Sequence, residues 1–205
     1  MKTKKGDELL TQSLYNSVIQ HNNQYRKDRR GDVALPYVVH PIEVMKKVWD
    51  WGVSDVVTLM AAVSHDFEDC VASERPDFIS LVRQQVLQID NGELVQQAAD
   101  IVEELTLTPI ANKAEYLESF AKKSVQALVI KVADRLCNSM NFFNGGDHAY
   151  AWKYLRKADT VIQAMKNREG EIILFFGEDV YQNMKSDVWK VERFLRPIPE
   201  PESKT

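Results

Sequence analysis

The distribution of proline is the feature that most restricts the fold of this chain. Four of the seven prolines, Pro36, Pro41, Pro76 and Pro109, stand between apolar-periodic stretches, and the other three fall in the last ten residues. A proline inside a helix removes a hydrogen bond and clashes with the preceding turn, so long proline-free segments favour helices joined by short loops. The sequence therefore predicts an all-α fold.

The apolar spacing between these breaks predicts nine helices. They are expected near residues 7–27, 42–51, 55–66, 77–89, 93–106, 112–122, 124–141, 148–169 and 178–194. Two stretches, 55–63 and 125–136, are so apolar that they are expected at the centre of the core. The β-branched run at 127–130 could also form a strand, but helix is favoured because no neighbouring strand would complete a sheet.

Length and composition restrict the class of protein. A chain of 205 residues, 44% of them hydrophobic, is expected to form one domain over 1–195, with a flexible tail at 196–205. A net charge of −4 argues against a nucleic-acid partner over the whole surface.

Neither a signal peptide nor an apolar run of roughly 20 residues is present, so a cytoplasmic protein without a membrane partner is expected. Cys70 and Cys137 form no CxxC pair, which indicates neither a disulfide framework nor a thiolate metal site.

Two histidines and two aspartates stand beside or within segments predicted to be helical. His40 precedes Pro41, which suits the first position of a helix, so its imidazole is expected to project from a loop at that helix's start. His65 and Asp66 follow the apolar run at 55–63, and Asp134 follows the apolar stretch ALVIKVA at 127–133. A buried carboxylate must be paired or bound to a metal, and one cation could satisfy all four side chains.

The ligand types indicate which metal and which chemistry to expect. Two imidazoles and two carboxylates suit Mn²⁺, and Fe²⁺, Co²⁺ or Zn²⁺ are compatible with the same donors. A cation with four protein ligands can keep further positions for a water molecule and a phosphate oxygen. The sequence therefore predicts a metal-dependent phosphohydrolase that acts on a small molecule.

Four motifs extend this interpretation: HNNQYRK at 21–27, PYVVHP at 36–41, HDFED at 65–69 and KVADRLCN at 131–138. In type, order and spacing they resemble the HD hydrolase domain of Rel/Spo proteins, over about residues 10–160. The resemblance implies an HD-domain helical bundle that hydrolyses the 3′-pyrophosphate of ppGpp and pppGpp, the alarmones of the stringent response. The products would be GDP or GTP and pyrophosphate, and the cofactor Mn²⁺.

The resemblance also implies a role for individual residues. The metal ligands would be His40, His65, Asp66 and Asp134. Glu68 and Asp69 would be the acidic pair that positions the attacking water and handles protons. The basic pair that contacts the nucleotide would be Arg26 and Lys27, and Asn138 would lie near the metal and the substrate ribose. The length of the chain leaves no room for a synthetase domain, so a stand-alone hydrolase is implied, and nothing in the sequence indicates an oligomeric state.

The acidic pair departs from the family pattern. The family usually has two residues between its HD and ED pairs, whereas this chain has only Phe67. A missing residue turns the rest of a helix by about 100°. Either Glu68 and Asp69 re-register in a loop, or Asp69 takes the position of the glutamate and Cys70 that of the aspartate. The segment 28–35 is also longer than usual.

Two other functions remain open at this point. One is a phosphohydrolase for another nucleotide, such as a nucleoside triphosphate, an adenosine alarmone or NADPH. The other is a catalytically silent HD module that senses a nucleotide. His21 is expected to support the site through a hydrogen bond rather than to bind metal. Arg156 and Lys157 could face the site, but they are expected to be solvated.

Overall fold

The structure is a computed structural model that describes residues 4–26, 34–109 and 112–195. Across these ranges it contains ten α-helices and no β-strand. The helices are α1 (Lys4–Gln20), α2 (Val39–Asp50), α3 (Val56–Ser64), α4 (Phe78–Leu87), α5 (Glu93–Leu105), α6 (Lys113–Glu118), α7 (Val125–Asn144), α8 (His148–Asn167), α9 (Glu169–Phe176) and α10 (Glu178–Leu195). Short 3₁₀ helices occur at Phe67–Cys70 and Ser119–Ala121. The predicted all-α fold is confirmed.

The two most apolar stretches form the central helices α3 and α7. Asp55 caps α3 by accepting a hydrogen bond from the backbone N–H of Thr58 at 2.9 Å, and Ser124 caps α7 through the N–H of Ala127 at 3.2 Å. Eight of the nine residues of α3 are buried, and it packs against α1, α2, α5 and α7. This burial fixes the position of the C-terminal end of α3, where the polar residues His65 and Asp66 follow.

One hydrophobic cluster contains buried side chains from each of the ten helices. This is the arrangement that a single core of this size would give. The predicted domain limits stay a prediction, because the segment 196–205 lies outside the described residues. In the part of the chain that the structure describes, no helix combines the length and the apolar character needed to cross a bilayer.

The chain after α1 differs from the prediction of a helix up to residue 27. The helix ends at Gln20, and Asn23 takes a positive φ of 63°, which asparagine tolerates better than most residues. After this turn, Tyr25 pairs with Pro36 in an antiparallel bridge. Arg26 N–H donates to the carbonyl of Leu35 at 2.9 Å and Tyr37 N–H donates to the carbonyl of Gln24 at 2.8 Å. This pairing brings both Arg26 and Tyr37 towards the end of α3.

Candidate metal centre

Three helices bring the four predicted metal ligands together. His65 and Asp66 directly follow α3, and Asp134 lies in the middle of α7. The Nε2 atom of His40 lies 3.2 Å from Asp134 Oδ1 and 3.4 Å from Asp66 Oδ2. The Nε2 atom of His65 lies 3.1 Å from Asp66 Oδ1 and 3.8 Å from Asp134 Oδ1. Ligand atoms of His40, His65 and Asp66 all lie within 4.8 Å of one another, so this cluster can hold a metal ion.

The position of His40 corrects one expectation. It is the second residue of α2, which begins at Val39, rather than a loop residue before the helix. Pro41 is the third residue, and a proline is tolerated there because the N–H groups of the first helical turn have no partner within the helix. The helix therefore holds the imidazole rigidly, and α2 and α3 pack against each other.

The electrostatics of the centre favour a bound cation. His40, His65 and Asp134 are at most 3% exposed. Burial disfavours ionisation of Asp66, but the imidazoles of His65 and His40 outweigh it and lower its pKa. Burial likewise opposes ionisation of Asp134, yet Lys131 and Arg135 hold its pKa well below the usual range. Two carboxylates that stay ionised in a buried site can serve as anionic ligands for a cation.

The imidazole of His65 indicates where a cation would bind. Its Nδ1 atom lies 2.8 Å from the carbonyl oxygen of Ala62, to which it can donate, so Nε2 faces the carboxylates. Among the residues that the structure describes, this buried Nε2 has no partner with hydrogen-bond geometry. Although burial lowers it, the pKa of His65 is raised to about 10 by Asp66 and Asp134, so without a metal the nitrogen would take a proton. A divalent cation can replace that proton, and the donor set fits one.

The acidic pair lies in the 3₁₀ turn that follows Asp66. The side chain of Phe67 is completely buried, and the chain forms a 3₁₀ turn from this residue instead of continuing α3. Glu68 Oε2 accepts a hydrogen bond from the backbone N–H of Leu107 at 2.6 Å. Burial, only partly offset by Lys131, raises the pKa of Glu68 to about 7. The carboxylate of Asp69 lies 2.7 Å from the hydroxyl of Tyr37.

Cys70 points away from this pair. Its sulfur lies 3.3 Å from His21 Nδ1, and burial raises the pKa of its thiol to about 12. Glu68 and Asp69 both line the cavity beside the metal centre, whereas Cys70 is not among its lining residues. Of the two alignments that the sequence left open, the geometry favours Glu68 with Asp69.

A cavity of about 450 Å³ adjoins the metal centre. Four acidic side chains, Asp66, Glu68, Asp69 and Asp134, lie in its wall. Five basic side chains face the same space: Arg26, Lys113, Lys131, Arg135 and Lys157. A cavity with metal ligands on one side and several cations around it suits a ligand that carries more than one phosphate group.

The predicted nucleotide-binding residues connect to the metal centre through Asn138. Its Nδ2 atom donates to Asp134 Oδ1 at 2.5 Å and lies 3.4 Å from His40 Nε2. The Nη2 atom of Arg26, a buried residue, lies 3.5 Å from Asn138 Oδ1. Lys27, the other member of the predicted basic pair, lies outside the described residues, as does 28–33 of the longer segment.

Several cavity residues had no predicted role. Tyr37 and Lys131 stand inside the recognised motifs, but the sequence does not show where a hydroxyl or an ammonium group reaches. Lys113 comes to the cavity through the packing of α6, which no local pattern indicates. Lys157 was expected to be solvated but lines the cavity, whereas Arg156 is exposed. His21 Nδ1 lies 2.8 Å from Gln24 Oε1, which agrees with the expected hydrogen-bonding role, and its exclusion from the metal ligands stays a prediction.

An all-helical bundle in which imidazoles and carboxylates converge beside a cavity with both basic and acidic walls resembles an HD-type domain. No family model matches the chain. Over 121 residues it is 27% identical to the mouse and human proteins named guanosine-3′,5′-bis(diphosphate) 3′-pyrophosphohydrolase MESH1. The match covers 58% of this chain and 61% of each relative, so it spans about three fifths of their length. It confirms the resemblance to HD-type Rel/Spo proteins that the motifs indicated.

A solved structure gives the same result for the fold. It is described as a metazoan ortholog of SpoT that hydrolyses ppGpp and plays a role in starvation responses. The two folds agree with a TM-score of 0.64 at 21% sequence identity, over 91% of this chain and 96% of the other. The HD-domain helical bundle expected from the sequence is thereby confirmed.

Proposed function

We propose that this protein is a divalent-metal-dependent pyrophosphohydrolase that removes the 3′-pyrophosphate of ppGpp or pppGpp. The observation that carries the proposal is the close approach of His40, His65, Asp66 and Asp134, with the buried Nε2 atom of His65 facing the two carboxylates. These residues adjoin a cavity that five basic side chains also line. The similarity to mouse and human proteins named for this activity supports the substrate.

Mn²⁺ is the proposed cofactor, because the donor set suits it and the resemblance implies it. His40, His65, Asp66 and Asp134 would hold the ion. When bound, it would supply a water molecule of lowered pKa and positive charge for the phosphate oxygens. Lys131 lies 3.0 Å from Asp134 Oδ2, which leaves Oδ1 directed towards the imidazoles.

The acidic pair is proposed to move the protons. Hydrolysis adds the hydroxyl of a water molecule to phosphorus and gives the 3′ oxygen of the ribose a proton as its bond to the pyrophosphate breaks. Glu68, with a pKa raised to about 7, is suited to take the proton from the attacking water. Asp69 is the exposed residue of the same turn and is suited to deliver a proton to the leaving oxygen.

Arg26, Lys27 and Asn138 are proposed to bind the nucleotide. A guanidinium group offers a planar pair of donors to a phosphate or stacks on a base, and lysine adds a point charge. The amide of Asn138 joins Arg26 to Asp134, so it lies between the nucleotide-binding side chain and the metal centre. Such a link would align the ribose with the reacting phosphorus.

The products released from a panel of nucleotides test the proposal. Purified protein with Mn²⁺ should convert ppGpp to GDP and pyrophosphate in one step. Release of orthophosphate from NADPH or a nucleoside triphosphate, with ppGpp untouched, would favour a different phosphohydrolase. Tight binding of a nucleotide without turnover of any of them would favour a sensing module.

A further inference from the structure

The hydroxyl of Tyr37 lies between two carboxylates that have different proposed roles. It is 2.9 Å from Asp66 Oδ2, a proposed metal ligand, and 2.7 Å from Asp69 Oδ2, in the acidic pair. The tyrosine is held by its own contacts. Its N–H donates to the carbonyl of Gln24 at 2.8 Å, and its ring centroid lies 4.9 Å from that of His21.

One hydroxyl offers a single proton and two lone pairs. It can donate to only one of the two carboxylates at a time, so Asp66 and Asp69 compete for the same proton. The hydroxyl of Tyr37 therefore makes the orientation of Asp69 depend on the orientation of Asp66.

The carboxylate of Asp69 needs such a contact. It is exposed and lies on a 3₁₀ helix of only four residues, a conformation with poor hydrogen-bond geometry. Within the described ranges, Tyr37 provides the side-chain hydrogen bond to this carboxylate. Glu68 differs, because the backbone N–H of Leu107 fixes its side chain independently of the tyrosine.

A second contact holds the backbone of the same turn. Gln24 Nε2 donates to the carbonyl of Asp69 at 3.1 Å, and the other end of this amide is bonded to His21 Nδ1 at 2.8 Å. Gln24 thus restrains the path of the turn, while Tyr37 restrains the direction of its carboxylate. The interval between the HD and ED pairs is one residue shorter here, which makes such restraints more necessary.

We propose that Tyr37 is a positioning residue that holds Asp69 in register with the metal ligand Asp66. The inference rests on the proposed hydrolytic function and adds to it a residue that acts through Asp69 rather than on the substrate.

Tyr37→Phe tests this role because it removes the hydroxyl and keeps the ring that packs on His21. We expect kcat to fall roughly tenfold to a hundredfold, the range for losing a hydrogen bond to a charged group. The KM for ppGpp and the Mn²⁺ bound per chain should not change. Tyr181→Phe is the matched control, since Tyr181 is a buried tyrosine on α10 away from the site, and it should keep the kcat of the wild type.

A double-mutant cycle with Asp69→Asn shows through which carboxylate Tyr37 acts. If it acts through Asp69, the double variant should be no more than about threefold slower than Asp69→Asn alone. Losses that multiply would contradict the proposal. Loss of Mn²⁺ from Tyr37→Phe would also contradict it, because the tyrosine would then act through Asp66.

Crystal structures of the Mn²⁺-loaded variants give a readout that does not depend on turnover. The carboxylate of Asp69 should lose its single orientation in Tyr37→Phe and keep it in the wild type and in Tyr181→Phe. A reoriented Asp69 carboxylate in a protein that hydrolyses no nucleotide would reject the proposed function and keep the positioning role. An unchanged Asp69 carboxylate in Tyr37→Phe would reject the positioning role, whether or not the wild type hydrolyses ppGpp.

Discussion

The two oxygens of Asp134 face different partners. Oδ2 lies 3.0 Å from the ammonium group of Lys131 and 3.6 Å from Arg135 Nε. Oδ1 lies 3.2 Å from His40 Nε2 and accepts a hydrogen bond from Asn138 at 2.5 Å. The basic residues of α7 therefore orient the carboxylate, and the other oxygen is left for the proposed metal.

Replacing Asp134 should remove the metal and the activity together. In Asp134→Asn we expect Mn²⁺ content at background level and no turnover of ppGpp, because the anionic ligand is lost. The buried ammonium of Lys131 also loses its partner, so the free energy of unfolding should fall by about 3–5 kcal/mol. Metal analysis, the kinetic assay and urea unfolding measure the three effects.

Asp147→Asn is the control for this substitution. Asp147 is exposed and caps α8, a position where asparagine serves equally well, so metal content and turnover should be retained. An Asp134→Asn protein that binds Mn²⁺ and turns over like the wild type would remove Asp134 from the proposed site.

The two alignments of the acidic pair predict opposite results for Glu68 and Cys70. Glu68→Gln should lower kcat by about a hundredfold or more while Mn²⁺ stays bound, as expected for loss of a general base. Cys70→Ala should retain kcat, because its sulfur faces His21. A fast Glu68→Gln enzyme together with a slow Cys70→Ala enzyme would support the pairing of Asp69 with Cys70 instead.

For single residues, the sequence indicates which residue types form the site better than it indicates which of their atoms are in contact. The four proposed ligands could be selected because a buried carboxylate or imidazole needs a partner. Tyr37 could not be given a role, since its function depends on where one hydroxyl ends relative to Asp66 and Asp69. The register of the shortened HD-to-ED interval also required the structure, because it depends on the burial of Phe67.

Helix α2, which carries His40, is anchored at its other end to α10. Asp187 on α10 accepts hydrogen bonds from Trp51 Nε1 and Lys47 Nζ, both at 3.0 Å. Lys190 donates to its other oxygen at 3.0 Å. Although burial opposes ionisation, these bonds lower the pKa of Asp187 overall. This contact supports the fold from a position away from the cavity.

Asp187→Ala should therefore reduce stability without changing catalysis. The buried N–H of Trp51 loses its acceptor, so we expect the free energy of unfolding to fall by about 1–3 kcal/mol, with kcat and KM unchanged. Because the folded pKa is lowered, the charge of Asp187 stabilises the fold above the ordinary aspartate pKa of about 3.9. The difference between wild type and variant should shrink as the pH falls below that value.

Urea unfolding at several pH values measures this difference. Asp159→Ala is the control: Asp159 is an exposed residue of α8, so its replacement should change stability by no more than about 0.5 kcal/mol. A variant Asp187→Ala as stable as the wild type at neutral pH would show that the contact does not anchor α2.

The sequence predicted most helices but not α9. Its segment, EGEIILFF, falls in the gap between the predicted helices 148–169 and 178–194. The apolar residues are consecutive rather than periodic, and Leu174 is 89% exposed, so no amphipathic pattern marks the helix. Gly177 ends it with a φ of 98°. Packing of Ile172 into the core, which is visible only in the folded chain, decides the conformation.

In the whole molecule, the metal centre lies where α2, α3 and α7 meet within one hydrophobic cluster. The cation would therefore hold three core helices together as well as serve the reaction. Binding to the folded chain alone stabilises it by an amount that grows with metal concentration.

Removal of metal should lower the melting temperature. At Mn²⁺ concentrations about a hundred times the Kd, the gain is about 2.7 kcal/mol, or roughly 5–10 °C for a chain of this size. Thermal unfolding of protein treated with a chelator, before and after Mn²⁺ is restored, measures the shift. Asp134→Asn should show none. An equal melting temperature for wild type with and without Mn²⁺ would contradict a metal bound between these helices.

The most direct test of the account is the turnover of ppGpp as Mn²⁺ is added stepwise to metal-free protein, with GDP and pyrophosphate measured together. The account predicts equal amounts of the two products and a rate that rises until about one Mn²⁺ is bound per chain. A protein that saturates with Mn²⁺ but leaves ppGpp intact, or one that cleaves it at the same rate without metal, would contradict it.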